Sequence, residues 1–286
     1  MGILLLERAY AKINLSLDVL AKRADGYHEV DMVMQTIDLS DSIWLEKTET
    51  PGIHIESNVS FIPLDSRNLA YAAAEVFLNR MGISPQLSIR IDKSVPVAAG
   101  LAGGSADAAA VLRGLNRLYD TGLSLDELAF MGEEIGSDVP FCVYGGCARA
   151  TGRGEQIERI YHDFRTYVVL VKPPVFVSTT DVYRDLTASD IPGRRVSSAI
   201  IKCLLTQDFH GVQELIENDL MPVTLRTYPE VEKLYARMQH VVSSPVHMSG
   251  SGPTLYCLAQ SQGAAQRLYN ALRGFTRDVY LCRTVM

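Results

Sequence analysis

Apolar and polar residues alternate along the first stretch of the chain, with Ala9, Ala11, Ile13, Leu15 and Leu17 on one side and Tyr10, Lys12, Asn14 and Ser16 on the other. A period of two over residues 4–20 predicts a strand with one buried face, and it points Lys12 and Asn14 the same way. An Ala24-Asp25-Gly26 turn then leads into a second apolar strand through Val30, Met32, Val33, Met34 and Ile37, with Tyr27 and His28 just past the turn. Further strands are expected over residues 42–48, 52–57 and 87–91. Leu69, Ala72, Ala73, Val76 and Phe77 recur at helical spacing and predict a helix over residues 68–81. A second helix is expected over residues 105–119, and a third from Ser124, where Ser124 and Glu127 form a capping box, to about residue 135 before Gly136.

Residues 141–150 and 167–172 read as strands, after which Pro173 and Pro174 interrupt the pattern. The last third alternates helices (197–205, 212–217, 228–238 and 262–272) with strands (254–259 and 278–284), around a second glycine turn at residues 249–252. That βαβ ending predicts a ferredoxin-like α+β domain.

With 286 residues, 47% of them hydrophobic, the chain can bury a large core. A net charge of −6 excludes a broadly basic nucleic-acid or membrane-surface binder, so any anionic ligand needs a local site. The apolar start MGILLLER stops at Glu7, too soon for a signal peptide, and Leu6 breaks the myristoylation pattern; no 18-residue apolar run occurs, so a cytoplasmic location is expected. Five scattered cysteines without a CxxC predict reduced, buried thiols.

The chemistry concentrates at residues 93–118, where a strand end passes into a small-residue loop and then an Ala- and Leu-rich helix. A helix N-terminus carries unsatisfied N–H groups and about half a positive charge, so a glycine loop emptying into one is suited to phosphate. Ser105 adds a hydroxyl for phosphate or for a phosphate-bound magnesium ion. The loop is not a P-loop, because no lysine follows Gly104, and its Gly100, Gly103, Gly104 spacing is not the dinucleotide fingerprint. Asp138, just before Val139 and Pro140, is expected in an extended or turn conformation that holds its carboxylate.

Three motifs, AKINLSL from Ala11, PVAAGLAGGSADAAA from Pro96 and MSGSGPTLY from Met248, resemble those of the GHMP kinases in content and order. KRADGYHEVDMVMQTIDLSD and SDVPF further resemble the branch of that superfamily that phosphorylates the 2-hydroxyl of a CDP-linked methylerythritol in the non-mevalonate route to isoprenoids. The resemblance implies a two-domain α+β GHMP kinase fold, with an N-terminal βαβ-containing domain (1–160) whose crossover is of the rare left-handed kind, a C-terminal ferredoxin-like domain (161–286), and ATP with Mg²⁺ as phosphoryl donor. It implies Lys12 and Asp138 as the catalytic pair, with Asp138 taking the hydroxyl proton.

By the same resemblance, Asn68, Lys93, Pro96, Val97, Ala98, Ala99, Gly100, Leu101, Ala102, Gly103, Gly104, Ser105 and Ala106 line the ATP site. Asn14 places the substrate, Tyr27 and Tyr183 sandwich its cytosine ring, His28 meets the ring edge, and Thr179, in the same loop as Tyr183, is a further substrate-binding residue. Asp107 is read as a structural capping residue, and Gly250 and Gly252 as support for the site. Ala102 departs from the broad pattern, which has glycine there; its methyl group restricts φ. The alternative is a GHMP kinase for a small acid, mevalonate- or homoserine-like, for which a cytidine clamp made by Tyr27, His28 and Tyr183 would have no use.

Overall fold

In the computed structural model, which describes residues 4–187, 190–191 and 193–286, the opening alternation becomes strand β1 (Leu4–Lys22). The start of the MGILLLER stretch, residues 1–3, lies outside the described residues. The expectation of one buried face is corrected, because Lys12, Asn14, Ser16 and Asp18 are as buried as the apolar residues between them. Long-range partners close over the polar side: Ser16 Oγ meets Ser197 Oγ at 2.9 Å, and Asp18 accepts from Val196 N at 3.1 Å. The two strands expected next are one, β2 (His28–Lys47).

The chain forms two compact units. The first comprises Met1–Ala11, Leu39–Val97 and Ala102–Gly145; the second comprises Lys12–Asp38, Ala98–Leu101 and Gly146–Met286.

In the first unit, β4 (Gln86–Asp92) pairs parallel with β3 (Gly52–Ser57) and antiparallel with the end of β2, where Trp44 faces Arg90. Helix α1 (Leu69–Met81) connects the two parallel strands, which makes the expected βαβ unit. It packs on α2 (Gly103–Leu118), followed by α3 (Leu125–Glu133) with the Ser124–Glu127 capping box in place. Gly114 in α2 is a packing requirement, since a Cβ there would stand 2.3 Å from the Leu45 side chain. The strand expected over residues 141–150 is corrected in its first part and borne out over residues 147–150. Residues Val139–Tyr144 form helix α4, with Pro140 in its first turn, where proline is pre-set for a helix. The apolar run there is too short for periodicity to separate buried helix from buried strand.

In the second unit, β5 (Cys147–Gly152) pairs with β2 and with β6 (Gln156–Ile160), a strand not foreseen. A four-stranded sheet has the order β11-β7-β10-β9, from β7 (Tyr167–Val171), β9 (His247–Met248), β10 (Leu255–Ala259) and β11 (Val279–Arg283). Both β10 and β11 lie antiparallel to β7, so they run parallel to each other with α10 (Gln262–Arg273) between them in sequence. That is the split βαβ unit of the expected ferredoxin-like ending.

The intervening segment holds α5 (Thr179–Arg184), α6 (Ser197–Leu205), α7 (Phe209–Leu215), the two-residue β8 (Glu217–Asn218) parallel to β1, α8 (Met221–Thr227) and α9 (Pro229–Val241). Helix α7 starts earlier than the expected 212–217 because Asp208 caps it, accepting from Gly211 N at 3.0 Å, and it ends where Ile216 turns extended. The five cysteines form no disulfide, and burial pushes the Cys147, Cys257 and Cys282 thiols up to about 12. Among the described residues no helix is long and apolar enough to cross a membrane.

Asn68 caps α1, accepting from Ala70 N at 2.9 Å and donating to the Pro63 carbonyl at 2.8 Å. Asn68→Ala is therefore expected to cost about 1 kcal/mol of stability, with Asn68→Asp recovering much of it, read by urea unfolding.

Candidate active site

Lys12 is 4% exposed, and its ammonium donates to Asn14 Oδ1 at 2.6 Å and to the Gly100 carbonyl at 3.2 Å. The period-two expectation that Lys12 and Asn14 point together is borne out. Asn14 Oδ1 also accepts from Gly250 N at 3.0 Å, and Gly100 O accepts from Ser249 Oγ at 2.9 Å. Gly100, at φ +72, could carry no side chain: a Cβ would stand 2.2 Å from the Ser249 carbonyl oxygen. The segment Ala98–Leu101 of the first glycine loop is thereby laid against the second glycine turn, within the same unit.

Tyr183 stacks on His28, ring centroids 5.1 Å apart at 27°, while exposed Tyr27 has the Arg153 guanidinium 5.1 Å over its ring. The rings in mutual contact are thus His28 and Tyr183. Burial, with Lys22 adding to it, pushes the His28 imidazole below its usual 6.5. Thr179 is the first residue of α5 rather than part of a loop, and its hydroxyl lies 2.8 Å from Ser251 Oγ.

In the first unit, α2 begins at Gly103, two residues before the expected start, with Ala102 as its N-cap and no side-chain cap. Helices α1, α3, α5, α7 and α10 each receive a side-chain cap from Asn68, Ser124, Ser178, Asp208 and Ser261. The Ala106 amide is bonded to Ala102 O at 2.8 Å, which leaves the first-turn amides of Gly103, Gly104 and Ser105 for an anion. Along the loop, Ala99 and Leu101 are buried while Ala98 is exposed and Pro96 and Val97 are half-buried. Ala98 and Ala102 both adopt left-handed backbone, φ +50 and +55, so the methyl of Ala102 strains the loop without changing its conformation.

Lys93 is held differently from Lys12. Its ammonium reaches Asp41 Oδ2 at 2.5 Å and Asp107 Oδ2 at 2.8 Å, all three side chains being nearly inaccessible. The reading of Asp107 as a cap is corrected, since its carboxylate turns away from the helix start to this ion pair. Burial pushes the Asp107 pKa up and Asp41 beside it adds to the shift, while burial opposes the Lys93 charge but the two carboxylates prevail and raise its pKa. Asp41, which sequence reasoning missed, also accepts from Ser94 N and Val95 N and so sets the chain's approach to the loop. An aspartate in the middle of β2, ahead of the apolar Ile43 and Leu45, was the only signal for it.

Asp138 caps α4 in the turn conformation, one of the two expected, with φ −85 and ψ −10 rather than extended backbone. It is half-buried, and its carboxylate makes no hydrogen bond or ion pair among the described residues, so it is not held as expected. Both oxygens are open to a proton donor.

Residues 68–146 match the GHMP kinases N terminal domain and residues 200–277 the GHMP kinases C terminal domain. The chain is 50% identical to a Bacillus pumilus 4-diphosphocytidyl-2-C-methyl-D-erythritol kinase over 98% of its own length and 97% of the relative's. It is 51% identical to the Geobacillus sp. protein of the same name, over 98% and 96%. A crystal structure of 4-(cytidine 5'-diphospho)-2C-methyl-D-erythritol kinase matches with TM-score 0.84 at 32% identity, covering 99% of this chain and all of that one. Homoserine kinase from Cytophaga hutchinsonii shares the fold, with TM-score 0.76 at 18% identity over 98% of this chain and 95% of that one.

Two substitutions should move loop stability in opposite directions. Gly100→Ala is expected to destabilise by roughly 1–3 kcal/mol through the clash with Ser249, and Ala102→Gly to stabilise by up to about 1 kcal/mol, both read by thermal unfolding.

Proposed function

Since the chain belongs to the 4-diphosphocytidyl-2-C-methyl-D-erythritol kinases of the GHMP superfamily, its reaction is ATP-dependent phosphorylation of that CDP-linked polyol in isoprenoid precursor synthesis, and we propose how its residues divide the work. Lys12 meets the transferring phosphoryl group, Asp138 takes the proton of the attacking 2-hydroxyl, the uncapped start of α2 cradles the triphosphate, and Tyr183 with His28 and Tyr27 receives the cytosine ring.

The observation that carries this reading is the contrast between the two buried lysines. Lys93 is neutralised by two carboxylates, whereas Lys12, equally buried, has only neutral oxygens around its ammonium and no carboxylate partner among the described residues. A buried cation without a counter-ion is costly unless an anion arrives. A phosphoryl group in transit supplies that charge, and stabilising it is most of what a kinase does.

Asp138 suits the complementary role because its oxygens are uncommitted. An alcohol attacks phosphorus poorly while its proton stays on, and a carboxylate able to receive that proton removes the obstacle. Asn14, fixed by Lys12 and Gly250, places the substrate beside the ammonium. Thr179 acts behind the ring site through its hydrogen bond to Ser251.

Magnesium enters with ATP. A magnesium ion of this kind is held chiefly by phosphate oxygens and water and needs few protein ligands. The Ser105 hydroxyl, in the first turn of α2, would complete its shell, and the ion would neutralise phosphate charge. Cytosine recognition falls to aromatic faces because stacking binds any planar ring and the imidazole adds a polar contact.

Asp138→Asn is expected to lower kcat by about 10²–10⁴-fold while the ATP dissociation constant stays near the parent value, measured by phosphorus NMR turnover and calorimetry. Unimpaired turnover would remove Asp138 from the role of base. Because burial lowers the His28 pKa from 6.5, the neutral ring predominates at that pH and increasingly above it. The KM for the cytidyl substrate should therefore be flat from neutrality upward and rise only as pH falls through the lowered pKa, with His28→Asn abolishing the acid limb.

A further inference from the structure

The second glycine turn, residues 249–252, holds both acceptors of the Lys12 ammonium. Gly250 N fixes Asn14 Oδ1 and Ser249 Oγ fixes the Gly100 carbonyl, the two oxygens that Lys12 Nζ reaches. Three other elements grip the turn. Asn218 of β8 donates to the Met248 and Gly250 carbonyls at 2.9 and 2.8 Å, and Thr224 of α8 donates to the Ser251 carbonyl at 3.0 Å. The third is α5, whose first residue, Thr179, meets the Ser251 hydroxyl at 2.8 Å.

Helix α5 also carries Tyr183, four residues after Thr179 and so on the same helical face. The aromatic surface formed by Tyr183 and His28 is one helical turn away from a hydroxyl that touches the turn setting Lys12. Ser251 is 5% exposed, while Thr179 is exposed. A buried serine hydroxyl needs a partner, and this one takes it from the helix bearing the ring site rather than from the turn itself.

We propose that Thr179 and Ser251 are positioning residues that relay occupancy of the Tyr183–His28 surface to Lys12, so that binding the cytidine end of the substrate raises the rate of transfer at its polyol end. The inference rests on assigning Tyr183 and His28 to the cytosine ring. Neither hydroxyl touches a reacting atom. Ring binding orders α5, the hydroxyl pair carries that order to residues 249–252, and the turn then aims the ammonium through Asn14 and Gly100. Binding energy from a remote part of the substrate is thereby realised at the reacting centre, where misplacement of a charge by a fraction of an ångström is felt in kcat.

Ser251→Ala removes the bond cleanly, because the Thr179 hydroxyl left behind is open to water. The expected result is a fall in kcat of about tenfold with the cytidyl substrate, a similar fall in Thr179→Val, little further loss in the double variant, and recovery in Thr179→Ser. The deciding readout is amide hydrogen exchange with CDP as probe. In the parent protein CDP should slow exchange in α5 and at Gly250 and Gly252; in Ser251→Ala it should still bind within about threefold and slow exchange in α5 alone.

Equal slowing of the turn in Ser251→Ala, no slowing of it in the parent, an unchanged kcat, or loss of CDP binding in Ser251→Ala would each overturn the relay. A CDP affinity left intact by Tyr183→Ala would instead overturn the ring assignment on which it rests.

Discussion

One ammonium group shared between two neutral oxygens is the interaction around which the second unit is arranged. Lys12 reaches Asn14 Oδ1 and the Gly100 carbonyl, and each of those oxygens is fixed again by the glycine turn at residues 249–252. The turn takes its own restraint from β8, α8 and α5. The Tyr256 hydroxyl adds a bond to the Asn14 carbonyl at 2.6 Å from the centre of the four-stranded sheet, and burial holds that phenol protonated by pushing its pKa up. Removing any one of these contacts loosens the position of a single positive charge. In the proposed division of work that charge is also the one that meets the phosphoryl group, so there stability and catalysis depend on the same bonds.

The protein thus treats its two buried lysines in opposite ways. Lys93 is clamped between Asp41 and Asp107, and Asp41 additionally takes two backbone amides, so this group of charges fixes the approach of the chain to the first glycine loop. A neutralised cluster can sit permanently in a low-dielectric surrounding, because breaking it would cost more than its formation returns. Lys12 has been given hydrogen-bond acceptors without charge. Its ammonium is oriented but not compensated, which under the proposed function leaves its electrostatic pull for the ligand.

Local features of the chain were legible where a short-range rule governs them. The period of two put Lys12 and Asn14 on one side of β1, helical spacing found α1, and Ser124 with Glu127 marked the start of α3. Features decided by distant partners were not legible. Nothing in the alternation of β1 tells that its polar side is closed by Ser197 and Val196, some 180 residues onward. Asp107 looked like a cap because the lysine and aspartate that claim it come from a strand end and from β2. The segment at α4 failed for a different reason: six apolar residues read equally well as strand or helix, and only the setting of Pro140 in a first turn separates them. Among site residues, types were readable from motifs, while the stacking of His28 on Tyr183 and the bond from Thr179 to Ser251 join positions more than seventy residues apart, which motif reading does not link.

Strand β1 passes from one compact unit to the other between Ala11 and Lys12, and β2 does so between Asp38 and Leu39, in each case without a break in the strand. The glycine loop changes unit twice more, at Val97 and at Leu101. The units are therefore not modules in the genetic sense. No single cut of the chain separates the two units, since the residues of each come from three separate segments. Exchange of one half between relatives by simple recombination would split its sheet, and a shortened gene product would lose the lysine-bearing strand or the turn that aims it.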